Sequence, residues 1–510
     1  MTRADAVWGR TAFAAVSLAI LTTAFLWPAL VTGTPWSFPD TPSYYKGGAA
    51  AWAFLIDALG LKDAGLAASD AVWVAPPLPD GLGEVLTTPG STVPDEAVPT
   101  DPEAVAAESP PVATDGSPAD RNVRYGIRSV PYSILVYASV RFVSLWAPIA
   151  AMCLAIATLI WMTARDVPPA LRLAIGLGLA AVTVLPFFGA LFQPDILTAA
   201  VVFVPIVVML HGDRLGLWRM VALLALFAFA ALAHYGNLPL AGVAVLWLAV
   251  WGLMRGRRLV VALVVAPLVV AVLVNVAIGL IINAGPSLAP GRYPLLLARS
   301  IEDGPGEAYL AQACPEANWA LCEVYDEVPS NIFTFLWGPR SVSEVATPEQ
   351  LARISAEELP LLMAIVRYDP AGQARAFLAN SVRQFFLYGS AEGSPARYAV
   401  TPRTMEVAPL EISWTPSVPT RAQDVAILLG VFALLWAIIR RRHPEALATA
   451  SFLLASLVVY AAVCGGLSAP APRYQARLVW IIPLLGAVLA YGRPRGRVAV
   501  TGTAPTRRPA

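Results

Sequence analysis

Charge is the scarcest feature of this chain. Only 14% of its 510 residues are Asp, Glu, Lys or Arg, 57% are apolar, and the mean hydropathy is +0.64. A soluble domain is roughly 25% charged. The long uncharged runs exclude a water-soluble enzyme, a nucleic-acid binder and a disordered scaffold, although length alone would suggest about three soluble domains. A net charge of +1 supplies no global field for a polyanionic partner, so no nucleic acid is expected. Lysine is almost missing: Lys46 and Lys62 are the only two, so nearly all positive charge is arginine. Histidine is rare as well. His211, His234 and His443 cannot build a His-rich metal centre, and neither CxxC nor HExxH occurs. Carboxylates could still hold a hard divalent cation. Of the four cysteines, Cys153 and Cys464 fall in or beside apolar runs and read as packing residues.

What fills the chain instead is long apolar runs. A bilayer core about 30 Å thick needs roughly 20 apolar residues per helix. Ten candidate spans stand out, at about 11–32, 143–163, 171–190, 196–211, 217–234, 237–254, 259–283, 423–440, 445–464 and 478–492. The fourth is short and follows Pro194, so it starts earlier or sits tilted. The first follows Arg3 and Arg10, as a signal peptide would, but it is too long for an h-region and ends in no clear A-x-A site. It reads as a retained helix. Every second loop is basic: Arg165 and Arg172, then Arg214 and Arg219, then Arg255, Arg257 and Arg258, then Arg440, Arg441 and Arg442, and last Arg493, Arg495 and Arg497. The positive-inside rule then puts both termini in the cytoplasm of a multi-pass protein of the bacterial inner (plasma) membrane.

The expected organisation is a first transmembrane helix (1–32), an extracytoplasmic loop (33–142), helices two to seven (143–283), an extracytoplasmic α-rich domain (284–422), helices eight to ten (423–492) and a cytoplasmic tail (493–510). The fold class is an all-α polytopic membrane protein. Within the first outer loop, helices at about 46–60 and 130–142 are expected to lie in the interface. Between them, 70–120 is Pro- and Ala-rich and acidic, without Lys or Arg, and is expected to be disordered. In the second outer segment Cys314 and Cys322 stand eight positions apart. The compartment and the spacing allow a disulfide; two free thiols are the alternative.

Polar groups at a membrane surface are costly and are functional candidates by default. Here they gather at one face: Asp40 after the first span, Arg128 before the second, Asp195 in Phe192-Gln-Pro-Asp195, His234 in His234-Tyr-Gly-Asn237, and Arg473, Tyr474 and Arg477 in Pro472-Arg-Tyr-Gln-Ala-Arg477. Each also has a plain structural reading. Asp40 and Asp195 could cap the helices that follow them. His234 could be a satisfied helix-end residue. The arginines could snorkel to headgroups. The Glu302-Asp303-Gly-Pro-Gly306 turn reads as a solvated loop. As a set, arginines could fork a phosphate and a carboxylate could take a proton from an acceptor.

An acidic residue soon after the first membrane helix, in the patch Phe38-Pro-Asp40-Thr-Pro-Ser-Tyr44, together with Arg473-Tyr474 before the last helix, resembles the GT-C superfamily of integral membrane glycosyltransferases. That group includes the protein mannosyltransferases and the lipid A aminoarabinose transferase. The resemblance implies a GT-C-like fold, membrane lipid and a polyprenyl-phosphate-linked sugar as partners, and Asp40 as catalytic base. It implies Asp195 and Tyr44, with Arg473 and Tyr474, as substrate-binding residues; Arg128, His234 and Arg477 join them as members of the same polar set. The chain departs from the group in having no adjacent Asp-Glu pair in the first loop and in carrying a long insert there. The alternatives are a transporter or flippase of a lipid-linked or small polar substrate, and a non-catalytic membrane assembly subunit docking through 284–422.

Overall fold

The computed structural model describes residues 3–38, 40–60, 128–282, 285–291, 293–314, 316–389, 398–400, 407–409, 419–440 and 445–492. The acidic insert 70–120 and the tail 493–510 lie outside the described residues. The protein is all-α, apart from one small sheet. Helix α1 (Arg3–Phe25) breaks before α2 (Trp27–Thr32), which ends at Gly33 with φ +74°, a left-handed cap that glycine adopts without strain. Strand β1 (Trp36–Ser37) leads into α3 (Thr41–Ala58). Then come α4 (Val130–Phe142), α5 (Ala147–Thr163), α6 (Pro169–Val182) and α7 (Leu185–Ala190). A 3-10 turn at Pro194–Leu197 runs into α8 (Thr198–His211), followed by α9 (Leu217–Ala233), α10 (Asn237–Met254) and α11 (Arg258–Ile281).

Among the described residues six helices are long and apolar enough to cross a membrane: Pro194–Arg214, Asn237–Met254, Leu263–Ile281, Thr420–Ile439, Ala446–Gly466 and Pro472–Tyr491. The other four expected spans coincide with shorter apolar helices, at Thr11–Phe25, Ala147–Thr163, Pro169–Val182 and Leu217–Ala233. Burial sorts them. Every residue of α8 is buried, as a helix apolar on all sides should be when it forms the bundle axis. Leu263–Ile281 and Thr420–Ile439 are 28% buried and show Leu273, Leu428 and Phe432 outward, an arrangement that suits hydrocarbon as solvent.

Two expected spans are interrupted. The first breaks at Leu26, between α1 and α2. The third breaks at Thr183, between α6 and α7, where the freed Val184 N–H donates to Gln423 Oε1 at 2.7 Å. Gln423 is 1% exposed, so a buried side-chain amide from a distant helix satisfies this backbone break. The last span begins well before 478. Its Pro472 start puts Arg473 and Arg477 on the helix itself.

Helices α12 (Leu295–Glu302), α13 (Pro305–Ala313), α14 (Ala320–Val324), α15 (Ile332–Trp337), α16 (Val342–Val345) and α17 (Pro348–Tyr368) form a separate apolar core around Leu297, Ile301, Phe335, Leu336, Leu361 and Ile365. Helix α18 (Pro370–Phe386) follows and packs closely on Gly465 and Gly466, where an added Cβ would meet Gln384 and Phe377. Cys314 and Cys322 are bridged, with Cα atoms 5.1 Å apart. The Glu302-Asp303 turn is not merely solvated, because Asp303 accepts from Arg299 at 2.6 Å and from Asn380 at 2.8 Å. Strands β2 (Tyr398–Val400) and β3 (Val407–Pro409) complete an antiparallel sheet in the order β1-β2-β3. Helices α19 (Thr420–Ile439), α20 (Ala446–Ala461), α21 (Pro472–Val479) and α22 (Ile481–Tyr491) return to the bundle. Gln384 on α18 exchanges two hydrogen bonds with the backbone of Ala471, at 2.7 and 3.0 Å. The small domain is thereby pinned to the start of α21.

Helices α19 and α22 pack backbone to backbone. A Cβ on Gly486 would sit 2.5 Å from the carbonyl oxygen of Gly430. Such close approach of small residues substitutes for the missing hydrophobic drive between membrane helices. Gly486→Leu is expected to cost about 1–3 kcal/mol by overpacking. The readout is the thermal midpoint of the detergent-purified protein, and an unchanged midpoint would refute the contact.

Candidate active site

One end of the bundle collects both sequence-flagged carboxylates. Asp40 stands at the N-cap position of α3, yet its side chain makes no cap hydrogen bond. Thr41 closes that turn instead: its Oγ1 accepts from the Phe38 N–H at 2.8 Å, and its own N–H donates to the Phe38 carbonyl at 2.8 Å. The carboxylate is left for other partners. Gln193 Nε2 donates to Oδ1, and Arg128 lies 3.2 Å from Oδ2. With 20% of the side chain exposed, Asp40 is held on two sides and open on another.

Asp195 sits in the first turn of the Pro194–Leu197 helix and also caps nothing. It is 2% exposed and ion-paired with Arg477, which is 1% exposed. The snorkelling alternative for Arg477 therefore fails: the guanidinium points into the bundle, where a carboxylate neutralises it. Arg477 Nη1 also donates to the Tyr460 hydroxyl at 2.6 Å. Its guanidinium lies 5.0 Å from the Tyr474 ring, whose other neighbour is Arg473 at 5.2 Å.

Arg473 is held by aromatic rings, not by acids. Its guanidinium lies 4.7 Å from the centroid of Phe38, two residues before Asp40. Among the described residues no carboxylate is paired with it. The three guanidiniums of Arg128, Arg473 and Arg477 face the two carboxylates of Asp40 and Asp195, which leaves one positive charge in excess. Such a set favours an anionic ligand.

Local structure fixes the remaining members. Ser129 caps α4 by accepting from the Tyr132 N–H, and its hydroxyl donates to the Leu232 carbonyl at 2.7 Å. That bond seats Arg128 beside the end of α9, where His234 follows. In the connection between α9 and α10, His234 Nδ1 accepts from the Gly236 N–H at 3.1 Å. Burial, then the charges of Arg477, Arg473 and Arg128, push this imidazole well below the usual histidine range. It is therefore neutral, with its proton on Nε2, a hydrogen-bond donor that adds no charge. Tyr44 lies under the cluster, 4% exposed and edge-on to Tyr132 at 5.1 Å. The two helices meet at Gly48, where a Cβ would collide with the Ser133 carbonyl. Burial, then the nearby Asp40 charge, raises the Tyr44 phenol further above its ordinary range.

All eight sequence-flagged site residues lie at this end of the bundle, linked through these contacts. Four partners were not anticipated: Gln193, Tyr132, Tyr460 and Phe38. Gln193 was visible within Phe192-Gln-Pro-Asp195, and Phe38 within the Asp40 patch. Tyr132 and Tyr460 carry no sequence signal, because tyrosines in apolar helices usually serve packing. The Tyr132 hydroxyl is buried and, among the described residues, has no hydrogen-bond partner. Among the described residues no group of three His, Cys, Asp or Glu is placed to hold a metal ion, and the two carboxylates here are each committed to a guanidinium. No step is assigned to a cation.

Breaking the buried pair leaves an uncompensated charge. Asp195→Asn is expected to lower stability by about 3–5 kcal/mol, read as a fall in the unfolding midpoint; a midpoint equal to wild type would contradict the pairing. For His234, the unfolded chain takes up a proton near pH 6.5 that the folded site resists. Stability then declines as pH falls below about 6.5, by up to about 1.4 kcal/mol per pH unit. His234→Gln should flatten that part of the profile of midpoint against pH. Parallel profiles would show that the imidazole is not held neutral.

Comparisons of the chain with family models, with curated proteins and with solved structures find no match.

Proposed function

We propose that this chain is an integral membrane glycosyltransferase of the GT-C kind, with ten spans and both termini in the cytoplasm of a bacterial inner membrane. It moves a sugar from a polyprenyl-phosphate donor to an acceptor on the outer side. The observation that carries this reading is the placement of Asp40. Its carboxylate is oriented by Gln193 and Arg128 and free of capping duty, and the guanidinium of Arg473 is held over the ring of Phe38, two residues before it.

The topology is supported by how the charges divide. Arg165, Arg172, Arg214, Arg255 and Arg257 gather at the end of the bundle opposite Asp40 and Asp195. That end is assigned to the cytoplasm.

In the proposed reaction the acceptor hydroxyl or amine attacks the anomeric carbon, and the bond from that carbon to the phosphate oxygen breaks. The acceptor proton passes to Asp40, and polyprenyl phosphate leaves with the bond electrons. Arg473 and Arg128 hold the phosphate, whose charge grows as it departs. Arg128 spans two roles: paired with Asp40, it couples donor binding to the orientation of the base. His234 donates from Nε2 to a sugar or phosphate oxygen.

The test uses the full-length protein in detergent with a panel of polyprenyl-phosphate monosaccharides, following released polyprenyl phosphate. Asp40→Asn should lower turnover by about 10²–10⁴-fold, the range for loss of a general base, with an unchanged elution profile. Arg473→Gln should raise the donor KM. A fully active Asp40→Asn protein would sink the assignment.

A further inference from the structure

A cavity of about 500 Å³ lies at the opposite end of α8 from Asp195, remote from the proposed active site and within the size range of ligand sites. Its walls come from α1, α5, α6, α8 and α9 and are largely apolar, with Leu223 and Leu226 among them. The charged groups lining it are all basic: Arg165, Arg172 and Arg219, with His211 beside them.

These arginines differ from their neighbours at the same end. Arg214 is neutralised by Asp166 at 2.5 Å, Arg257 by Asp213 at 2.5 Å and Arg255 by Glu445 at 3.1 Å. Arg172 is anchored by backbone carbonyls instead, donating from Nε to Val167 at 2.7 Å and from Nη2 to Arg165, with its guanidinium 5.2 Å from the Trp161 ring. Arg165 Nη1 donates to the Arg214 carbonyl at 3.0 Å. Carbonyls orient a guanidinium without cancelling its charge. Among the described residues no carboxylate is paired with Arg165, Arg172 or Arg219. His211, 3% exposed, also lines the cavity; its Nε2 donates to the Thr163 carbonyl at 3.0 Å, so it adds no acid and no counter-charge to the three guanidiniums.

The surroundings of the cavity select the kind of anion. On the flanking helices Phe13, Val16, Leu217, Trp218 and Val221 are exposed, so the neighbouring medium is hydrocarbon, with Trp218 at the level where indoles favour the interface. We propose that this cavity is a binding site for an anionic, phosphate-headed lipid of the leaflet at the basic end. The phosphate would sit among Arg165, Arg172 and Arg219, and part of a chain would lie along Leu223 and Leu226. Basic pockets between membrane helices hold lipid headgroups in this way. The site is independent of the glycosyltransferase reading, because it shares no residue with the Asp40 cluster.

Native mass spectrometry of the delipidated full chain tests it, with phosphatidylglycerol, phosphatidylcholine and inorganic phosphate as probes. Phosphatidylglycerol should be retained over phosphatidylcholine. The double variant Arg165→Gln/Arg219→Gln should weaken that retention about twenty-five-fold, at about fivefold per charge near a membrane surface. Arg219 is exposed, so Arg219→Gln alone supplies the fivefold loss if the double variant does not fold. Equal retention of the two lipids, or retention that ignores the arginine variants, would overturn the proposal. So would displacement of the lipid by inorganic phosphate at matched concentration, which would mark a soluble anion as the ligand.

Discussion

A guanidinium inside an apolar bundle must be neutralised where it lies, because bringing a bare charge there costs more than the fold can offset. Asp195 supplies that neutralisation for Arg477. The pair joins the 3-10 turn before the axial helix α8 to the last turn of α21, and other contacts hang from it. Arg477 bonds Tyr460 and underlies Tyr474. Tyr474 carries Arg473, which reaches across to Phe38 beside Asp40. The segment that carries the partly exposed Asp40 is thus connected, contact by contact, to a buried ion pair that cannot shift without stranding a charge.

The two ends of the bundle use arginine differently. At the Asp40 end, guanidiniums meet carboxylates and rings, and one positive charge remains. At the other end Arg214, Arg255 and Arg257 are neutralised by single acids, but the three around the cavity are held by carbonyls or left open. Uncompensated positive charge therefore appears in two places, separated by the length of a helix with no exposed residue. Both are suited to phosphate, one beside a candidate base and the other beside lipid.

Most of the helical inventory was legible in the sequence, because a segment such as Leu263–Ile281 is apolar on nearly every side and excludes other readings. The interruptions were not. The break at Thr183 is tolerated only because Gln423, some 240 positions away, accepts the freed N–H. The early start of the last helix was hidden by the charges of Arg473 and Arg477, which lower local hydropathy where the helix in fact begins. The Gly430–Gly486 approach was equally invisible, since glycine in an apolar run does not say which helix it will meet.

The site divides along the same line. The sequence by itself determined which residues were eligible: polar groups are so rare near the apolar segments that Asp40, Asp195, Arg128, His234, Arg473 and Arg477 were conspicuous. It left each with a second reading as a cap, a snorkelling cation or a satisfied helix end. Only the tertiary structure decided among these. Asp40 does not cap because Pro42 offers no N–H, the Ser43 N–H goes to the Asp40 carbonyl and the carboxylate turns to Gln193 and Arg128, and Arg477 does not snorkel because Asp195 is buried beside it. Composition reports the cost of placing a charge near hydrocarbon, whereas the partner that offsets the cost comes from another helix, and only folding brings the two within hydrogen-bond reach.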